Sequence, residues 1–205
     1  MNISKKNDAI EKIKNNLSTK YMARNIVYFE TIDSTQKKAK ELAKCKVQNG
    51  TLVLANMQTH GIGTHGKVWY TEADSNILMT LVLYPNCNID NLKTITIDIA
   101  NCLAKIIKDL YEIQLSIKEP NDLILNDKKI GGILTETKLN KEFVEALFIG
   151  IGFNVNQEKF PEEISESATS LKKEFKKDFE REKIVARFLN EFEELVVTSY
   201  QFSAE

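Results

Sequence analysis

The spacing of hydrophobic positions along the 205-residue chain changes several times, and each change marks an element. Residues 8–17 place Ile10, Ile13 and Leu17 at helical spacing among Lys and Asn, the pattern of a short amphipathic helix. Residues 26–32, Ile-Val-Tyr-Phe-Glu-Thr-Ile, are β-branched and aromatic and predict a strand. Asp33-Ser34-Thr35 then reads as a helix cap, and residues 36–44, with Ala39, Leu42 and Ala43 on one face, are the helix it starts. Residues 52–56 predict a second strand. Residues 58–67 hold three of the eight glycines and both histidines, too much glycine for helix or strand, and predict a loop.

Residues 75–83 form an apolar strand that Tyr84-Pro85-Asn86 ends. Residues 92–110 carry Ile95, Ile99, Leu103, Ile106 and Leu110 in helical register and are apolar on more than one side, which predicts a buried helix. Residues 113–117 alternate, and Pro120-Asn121-Asp122 turns the chain. Residues 123–125 and 129–138 then form a hairpin across Asn126-Asp127. Residues 143–156 read as a strand with Gly150 and Gly152 inside it, and residues 182–200 as a terminal helix. Between them, residues 157–177 are polar and lysine-rich, the composition of a surface loop with a short helix. A regular βαβ alternation is absent. The pattern predicts an α+β fold: a mixed, mostly antiparallel sheet with helices packed on one face, in a single domain over residues 1–205 with residues 1–20 as a helical extension.

Charge narrows the function classes. With 28 Lys+Arg against 29 Asp+Glu the net charge is -1, which argues against a general polyanion binder and against DNA as a partner. No run approaches the roughly 18 apolar residues of a membrane span, and residues 1–14 lack the apolar stretch of a secretory signal. A cytoplasmic protein is expected. Cys45, Cys87 and Cys102 are odd in number and form no CxxC pair, so they read as idle thiols, and no metal site is expected from them.

Three segments hold most of the polar and glycine-rich oddities. Asp33-Ser34-Thr35-Gln36 sits at a strand-to-helix junction, where free N–H groups can hold a polar ligand as readily as a cap. In Gln58-Thr59-His60-Gly61-Ile62-Gly63-Thr64-His65-Gly66-Lys67-Val68-Trp69, three glycines let backbone wrap closely round a ligand, and Lys67 can meet an anion. His60 and His65 read as exposed loop residues. In the third segment, Lys118 ends an apolar strand just before Pro120, and Gly131-Gly132-Ile133-Leu134 follows.

Taken in this order, the segments resemble the catalytic domain of biotin–protein ligases over nearly the whole chain from Ile26. Lys118-Glu119-Pro120-Asn121-Asp122 resembles that family's Lys-Trp-Pro-Asn-Asp signature. Lys129-Ile130-Gly131-Gly132-Ile133-Leu134 resembles the Lys-(apolar)-(Ala/Gly)-Gly-Ile-Leu that follows it. Ile32-Asp33-Ser34-Thr35 is similar to the start of the family's biotin site, and residues 150–156, Gly-Ile-Gly-Phe-Asn-Val-Asn, to its glycine-rich strand.

The resemblance implies a fold related to class II aminoacyl-tRNA synthetases and lipoate ligases. It also implies two half-reactions with ATP, Mg²⁺ and biotin. Biotinyl-adenylate forms first, and a lysine of a biotin carboxyl carrier protein, as in acetyl-CoA carboxylase, then takes the biotin. Carried over residue by residue, it makes Lys118 catalytic. It places biotin against Ser34, Thr35, Gln36, Gln58, Ile62, Gly63, Thr64, Lys118 and Gly132. It places ATP and the adenylate against Gly61, Gly66, Lys67, Trp69 and Asn154. Family members often dimerise by sheet-edge pairing, and residues 142–148 are the expected edge.

The departures are informative. The family's loop reads Gly-Arg-Gly-Arg-x-Gly-Arg, whereas here Ile62 and Thr64 stand where two arginines belong and Lys67 keeps a charge. By analogy with losing a transition-state donor, each missing arginine lowers the rate by on the order of 10²–10³. Glu119 replaces the signature tryptophan and sets an anion beside Lys118. The family's N-terminal DNA-binding module and C-terminal barrel are expected to be absent. Two alternatives stay open: a biotin-binding paralogue without turnover, and a ligase of the same fold for another carboxylic acid such as lipoate.

Overall fold

The computed structural model describes residues 3–202. The chain runs α1 (Ile3–Asn15), β1 (Ile26–Ile32), α2 (Thr35–Lys44) and β2 (Thr51–Gln58), then a small hairpin of β3 (Gly61–Ile62) and β4 (Val68–Trp69). It continues through β5 (Ile77–Leu83), β6 (Cys87–Asn88), α3 (Ile95–Tyr111), β7 (Ser116–Lys118) and β8 (Asp122–Leu125). The long strands β9 (Lys128–Asn140) and β10 (Phe143–Phe153) precede α4 (Leu171–Phe175) and α5 (Arg181–Ser199).

Eight strands form one sheet in the order β1-β2-β5-β10-β9-β8-β7, with β6 pairing on β10. Only β1 and β2 run parallel; the other pairs are antiparallel. The β8–β9 hairpin turns on Asn126 and Asp127, both in the left-handed region at φ 50° and 61°, as a tight two-residue turn requires.

The sheet buries its two faces differently. Leu52, Leu54, Leu81, Leu83, Leu147, Ile149 and Ile151 face the main core, which α1, α3 and α5 close with Ile13, Ile99, Leu103, Ile106, Phe188 and Phe192. The alternate residues Val53, Val82, Ala146 and Phe148 form a second, smaller cluster with Ala39 of α2. So α1, α3 and α5 make the helical layer that the pattern predicts, and α2 lies by itself on the opposite face.

Four local expectations need correction. The glycine-rich loop contains the β3–β4 hairpin, whose two-residue strands are too short to show a period. Residues 113–115 are not strand, although Ile113 and Leu115 are buried; β7 begins at Ser116. The 157–177 connection is not all surface: Thr169, Ser170 and Leu171 are fully buried, and its backbone clasps β9, with Lys129 N donating to Ser167 O at 2.8 Å and Thr169 N to Lys129 O at 2.9 Å. Residues 142–148 are not a sheet edge, because β10 lies between β9 and the β5/β6 strands. Edge pairing through that segment is therefore closed.

The N-terminal segment is tied down by a carboxylate from α5. Buried Glu193 accepts from Lys20 N, from Tyr21 N at 3.0 Å and from Met22 N at 2.8 Å. Removing it leaves three backbone donors without their acceptor. Glu193→Ala is expected to cost about 3 kcal/mol, seen as a fall of roughly 6–12 °C in the thermal midpoint by calorimetry.

Candidate active site

The open face of the sheet beside α2 is floored by residues with little or no side chain. Register places Gly150 opposite Thr80 and Leu134, and Gly152 opposite Gly132. A Cβ on Gly150 would lie 2.6 Å from Gln36 Oε1, and one on Gly152 would lie 2.5 Å from Trp69 Cε2. Gln36 and Trp69 therefore lie directly on sheet backbone, and the narrow cleft between them exists because those positions are glycine.

Polar groups converge at the α2 end of this cleft. Ser34 takes the N-cap position of α2 but makes no capping hydrogen bond; its Oγ is buried without a partner. Gln58 Oε1 accepts from Thr35 N at 2.7 Å and from Thr35 Oγ1 at 3.0 Å. The Gln58 carbonyl is thus occupied, and its NH₂ is the group left to donate to a ligand. Thr80 Oγ1 lies 2.9 Å from Thr35 Oγ1 and 3.1 Å from Gln36 Oε1, so it steadies both from below. Gln36 Nε2 donates to Glu136 Oε2 at 2.9 Å, and Lys40 Nζ to Glu136 Oε1 at 2.7 Å. Burial alone would raise the Glu136 pKa, but the bonds from Lys40 and Gln36 more than offset it and hold the carboxyl below its ordinary value.

A second, wider cleft adjoins the first and shares Gly63, Thr64, Trp69 and Lys129 with it. Its cations are Lys67, Lys118 and Lys129, against Asp122 and Asp127. Lys129 Nζ pairs with Asp122 Oδ1 at 2.6 Å and stands 5.7 Å from the centroid of the Trp69 ring. Its backbone is held on both sides by the clasp of residues 167–169. Asn154 is buried, donates to Thr169 O at 3.0 Å and leaves its Oδ1 unpaired at the same cleft. The Trp69 Nε1 is likewise buried without a partner.

Of the residues assigned to biotin, Ser34, Thr35, Gln36, Gln58, Ile62, Gly63, Thr64 and Gly132 line the first cleft. Lys118 does not; it sits exposed on the edge strand β7 and lines the second. Of those assigned to ATP, Lys67, Trp69 and Asn154 line the second cleft. Gly61 and Gly66 line neither. Gly61 has a Cβ position 2.4 Å from Trp69 O, which serves the hairpin, and Gly66 turns the chain at φ 72°. His60, His65 and Glu119 line neither cleft.

Sequence reasoning left two residues without a role. Thr80 is a lone polar residue inside an apolar strand, a signal available in Met79-Thr80-Leu81. Lys129 is hidden by a bulge: Leu123 pairs with Gly131 but Ile124 pairs with Lys129, so β9 advances two residues for one on β8. That extra residue turns Lys129 away from the core side and toward the clefts.

Among the described residues no three His, Cys, Asp or Glu side chains converge to hold a metal ion. No helix there is long and apolar enough to cross a membrane.

The chain has one tryptophan, so the floor can be watched directly. Gly152→Ala is expected to push the Trp69 ring off the sheet and shift its fluorescence emission to the red. Gly132→Ala, whose Cβ would meet Lys129 and Trp69 at an ordinary 3.4 Å, is expected to leave the emission in place.

Comparison with known proteins places this geometry. The sequence profile of the biotin/lipoate A/B protein ligase family matches residues 28–154. The bifunctional ligase/repressor BirA of Bacillus subtilis is 36% identical over 183 residues, covering 88% of this chain and 56% of that protein. The biotin–[acetyl-CoA-carboxylase] ligase of Paracoccus denitrificans is 34% identical over 132 residues, 60% of this chain and 51% of that one. The chain spans about half the length of the curated relatives it matches. Among solved structures, the biotin protein ligase of Aquifex aeolicus in complex with biotin and ATP superposes with a TM-score of 0.73 at 31% identity, over 87% of this chain and 73% of that one.

Proposed function

The chain belongs to the biotin/lipoate A/B protein ligase family, and on that premise we propose that it activates biotin with ATP and passes it to a lysine of a biotin carboxyl carrier protein in the cytoplasm. One observation carries the reading: two adjoining clefts, one narrow with polar groups at one end and one wide and lysine-bearing, share the side chain of Lys129.

In this reading the bicyclic ring of biotin enters the first cleft. Its ureido group meets the Ser34 hydroxyl, which is buried without a partner, and the NH₂ of Gln58, whose carbonyl is taken by Thr35. The ring lies on the glycine floor, and the carboxylate reaches the junction. ATP occupies the second cleft, with Lys67 and Lys118 toward its phosphates and Asn154 on the wall. A carboxylate oxygen attacks the α-phosphorus, the bond to pyrophosphate breaks, and biotinyl-adenylate remains. Negative charge grows at the junction of the clefts, where Lys129 stands. The neutral amine of the carrier lysine then attacks the acyl carbon, AMP leaves with the bonding electrons, and the amine gives up a proton as the amide forms. Among the described residues no three acidic, His or Cys side chains converge, so a Mg²⁺ would be held mainly by the ATP phosphates with at most one or two carboxylates such as Asp122 or Asp127, and the lysines are the chain's own fixed positive charge there. This moves the catalytic role from Lys118 to Lys129, with Lys118 kept as a phosphate contact.

The arginine-free loop favours a second reading, a biotin-binding paralogue. Ile62 and Thr64 line the first cleft and carry no charge, so the carboxylate there has no bidentate partner. Pyrophosphate release with biotin and ATP separates the two. The ligase reading expects release that Lys129→Ala lowers at least ~100-fold, the scale of one electrostatic contact made in the transition state. Lys118→Ala is expected to act chiefly on the KM for ATP. Biotin that binds without any pyrophosphate release by the wild type gives the result to the paralogue.

A further inference from the structure

The open face of the sheet carries a third hollow that the two half-reactions do not use. Along β9, Leu134 lines the first cleft, while Thr137 and Lys138 line an open groove beyond it. Glu136 lies between them. The hydrogen bonds from Gln36 and Lys40 to Glu136 are thus a partition between cleft and groove, thrown across from α2 to β9.

The groove differs from the clefts in character. Its floor is apolar, made by Val47, Tyr84, Ala146 and Phe148, with the Tyr84 hydroxyl buried and unpaired. Its rim carries Lys40, Lys44, Lys46 and Lys138 against a single Glu145. Lys40 and Lys138 are paired, to Glu136 at 2.7 Å and Glu145 at 2.6 Å. Among the described residues Lys44 and Lys46 are in no ion pair, and both are exposed. With Glu136 counted, four lysines stand against two glutamates, a local positive excess in a chain whose net charge is -1.

We propose that this groove docks the acceptor protein, and that it recognises an acidic surface patch with an apolar anchor on the carrier domain. The proposal rests on the ligase reading. A carrier must approach the open face, because the opposite face is packed against α1, α3 and α5. The ten residues of α2 run from the first cleft to the groove, a span of about 15 Å. That is comparable with the roughly 13 Å radius of gyration of a small domain. A carrier seated on the groove therefore keeps a projecting lysine within reach of the adenylate. Opposite charge at a solvent-exposed rim speeds encounter and sets orientation, while the apolar floor supplies the contact area.

Lys44 and Lys46 are the residues to change, since neither belongs to the clefts or the partition. The probes are a biotin carboxyl carrier domain of net negative charge and the same domain with its acidic surface residues neutralised. For Lys44→Glu/Lys46→Glu, carrier-free pyrophosphate release is expected to stay within twofold of wild type. The KM for the acidic carrier is expected to rise about tenfold with little change in kcat, and the neutralised carrier should show no such difference. Added salt should raise the wild-type KM in the same direction. An unchanged KM overturns the proposal. So does sedimentation in which the double variant alters self-association while carrier KM stays fixed, which would make the groove an interface between copies of this chain. Failure of the ligase reading registers separately, as a wild type that releases no pyrophosphate. Carrier binding by interferometry then decides the docking surface: binding lost in the double variant supports it, and no binding by the wild type overturns it.

Discussion

The register of β9 against β10 is the constraint on which the rest depends. Side chains alternate across a sheet, so a pairing that sets Gly150 opposite Leu134 and Gly152 opposite Gly132 also sets Ile151 opposite Ile133. The glycines face the cleft and the isoleucines face the core. A slip of one residue would exchange them, putting branched side chains on the cleft floor and glycines in the core. Each displaced isoleucine would forfeit about 1.5–3 kcal/mol of burial, so the core enforces the shape of the cleft. On the core side the fit is equally close: a Cβ on Gly131 would lie 2.7 Å from the fully buried ring of Phe153.

With the floor fixed, the polar groups above it are positioned by one another. Thr80 supports Thr35 and Gln36, Thr35 occupies the carbonyl of Gln58, and Gln36 is held from its other end by Glu136. What remains without a hydrogen bond in the clefts is a short set of groups: Ser34 Oγ, Trp69 Nε1, Asp122 Oδ1 and Asn154 Oδ1. A buried polar atom without a partner costs about 1–3 kcal/mol. The ordered donors around them are therefore preorganised at the expense of the free protein, and a ligand with matching acceptors and donors recovers that energy.

Most elements were legible in the chain because their residues carry a local period. Ile26–Ile32, Ile77–Leu83 and the helix holding Phe188 and Phe192 show it plainly. The partners were not legible, because they depend on residues far away in sequence. Phe148 alternates like an edge or an interior strand alike, and nothing near it says that β5 and β9 flank it. The amphipathic face of α2 says that it packs on something, not which side of the sheet that is. Similarly, the motifs around Ser34, Gln58 and Gly132 carried a family resemblance, but the bulge opposite Ile124 that aims Lys129 leaves no trace in its own residues. Lys118, next to Pro120, looked the better-held lysine; in three dimensions it is on an edge strand, while Lys129 is clasped on both backbone sides.

Charge in the second cleft then sets what the arginine-free loop can do. Lys129 has Asp122 at 2.6 Å, so at rest much of its field is already answered. The two meet as an ion pair without hydrogen-bond geometry, since Asp122 Oδ1 is buried with no hydrogen-bond donor on it, and the ammonium keeps its three donors. Asp122 therefore holds the ammonium in place by charge rather than cancelling its donors, and the Trp69 face restricts the directions in which they can turn. An arginine would grip an anion with a rigid fork regardless of its surroundings. A lysine needs the surroundings to aim it, and here the surroundings are Asp122, Trp69 and the backbone clasp at residues 167–169. The loss of fixed cations from the loop is thus met, in this chain, by a lysine whose freedom the fold removes.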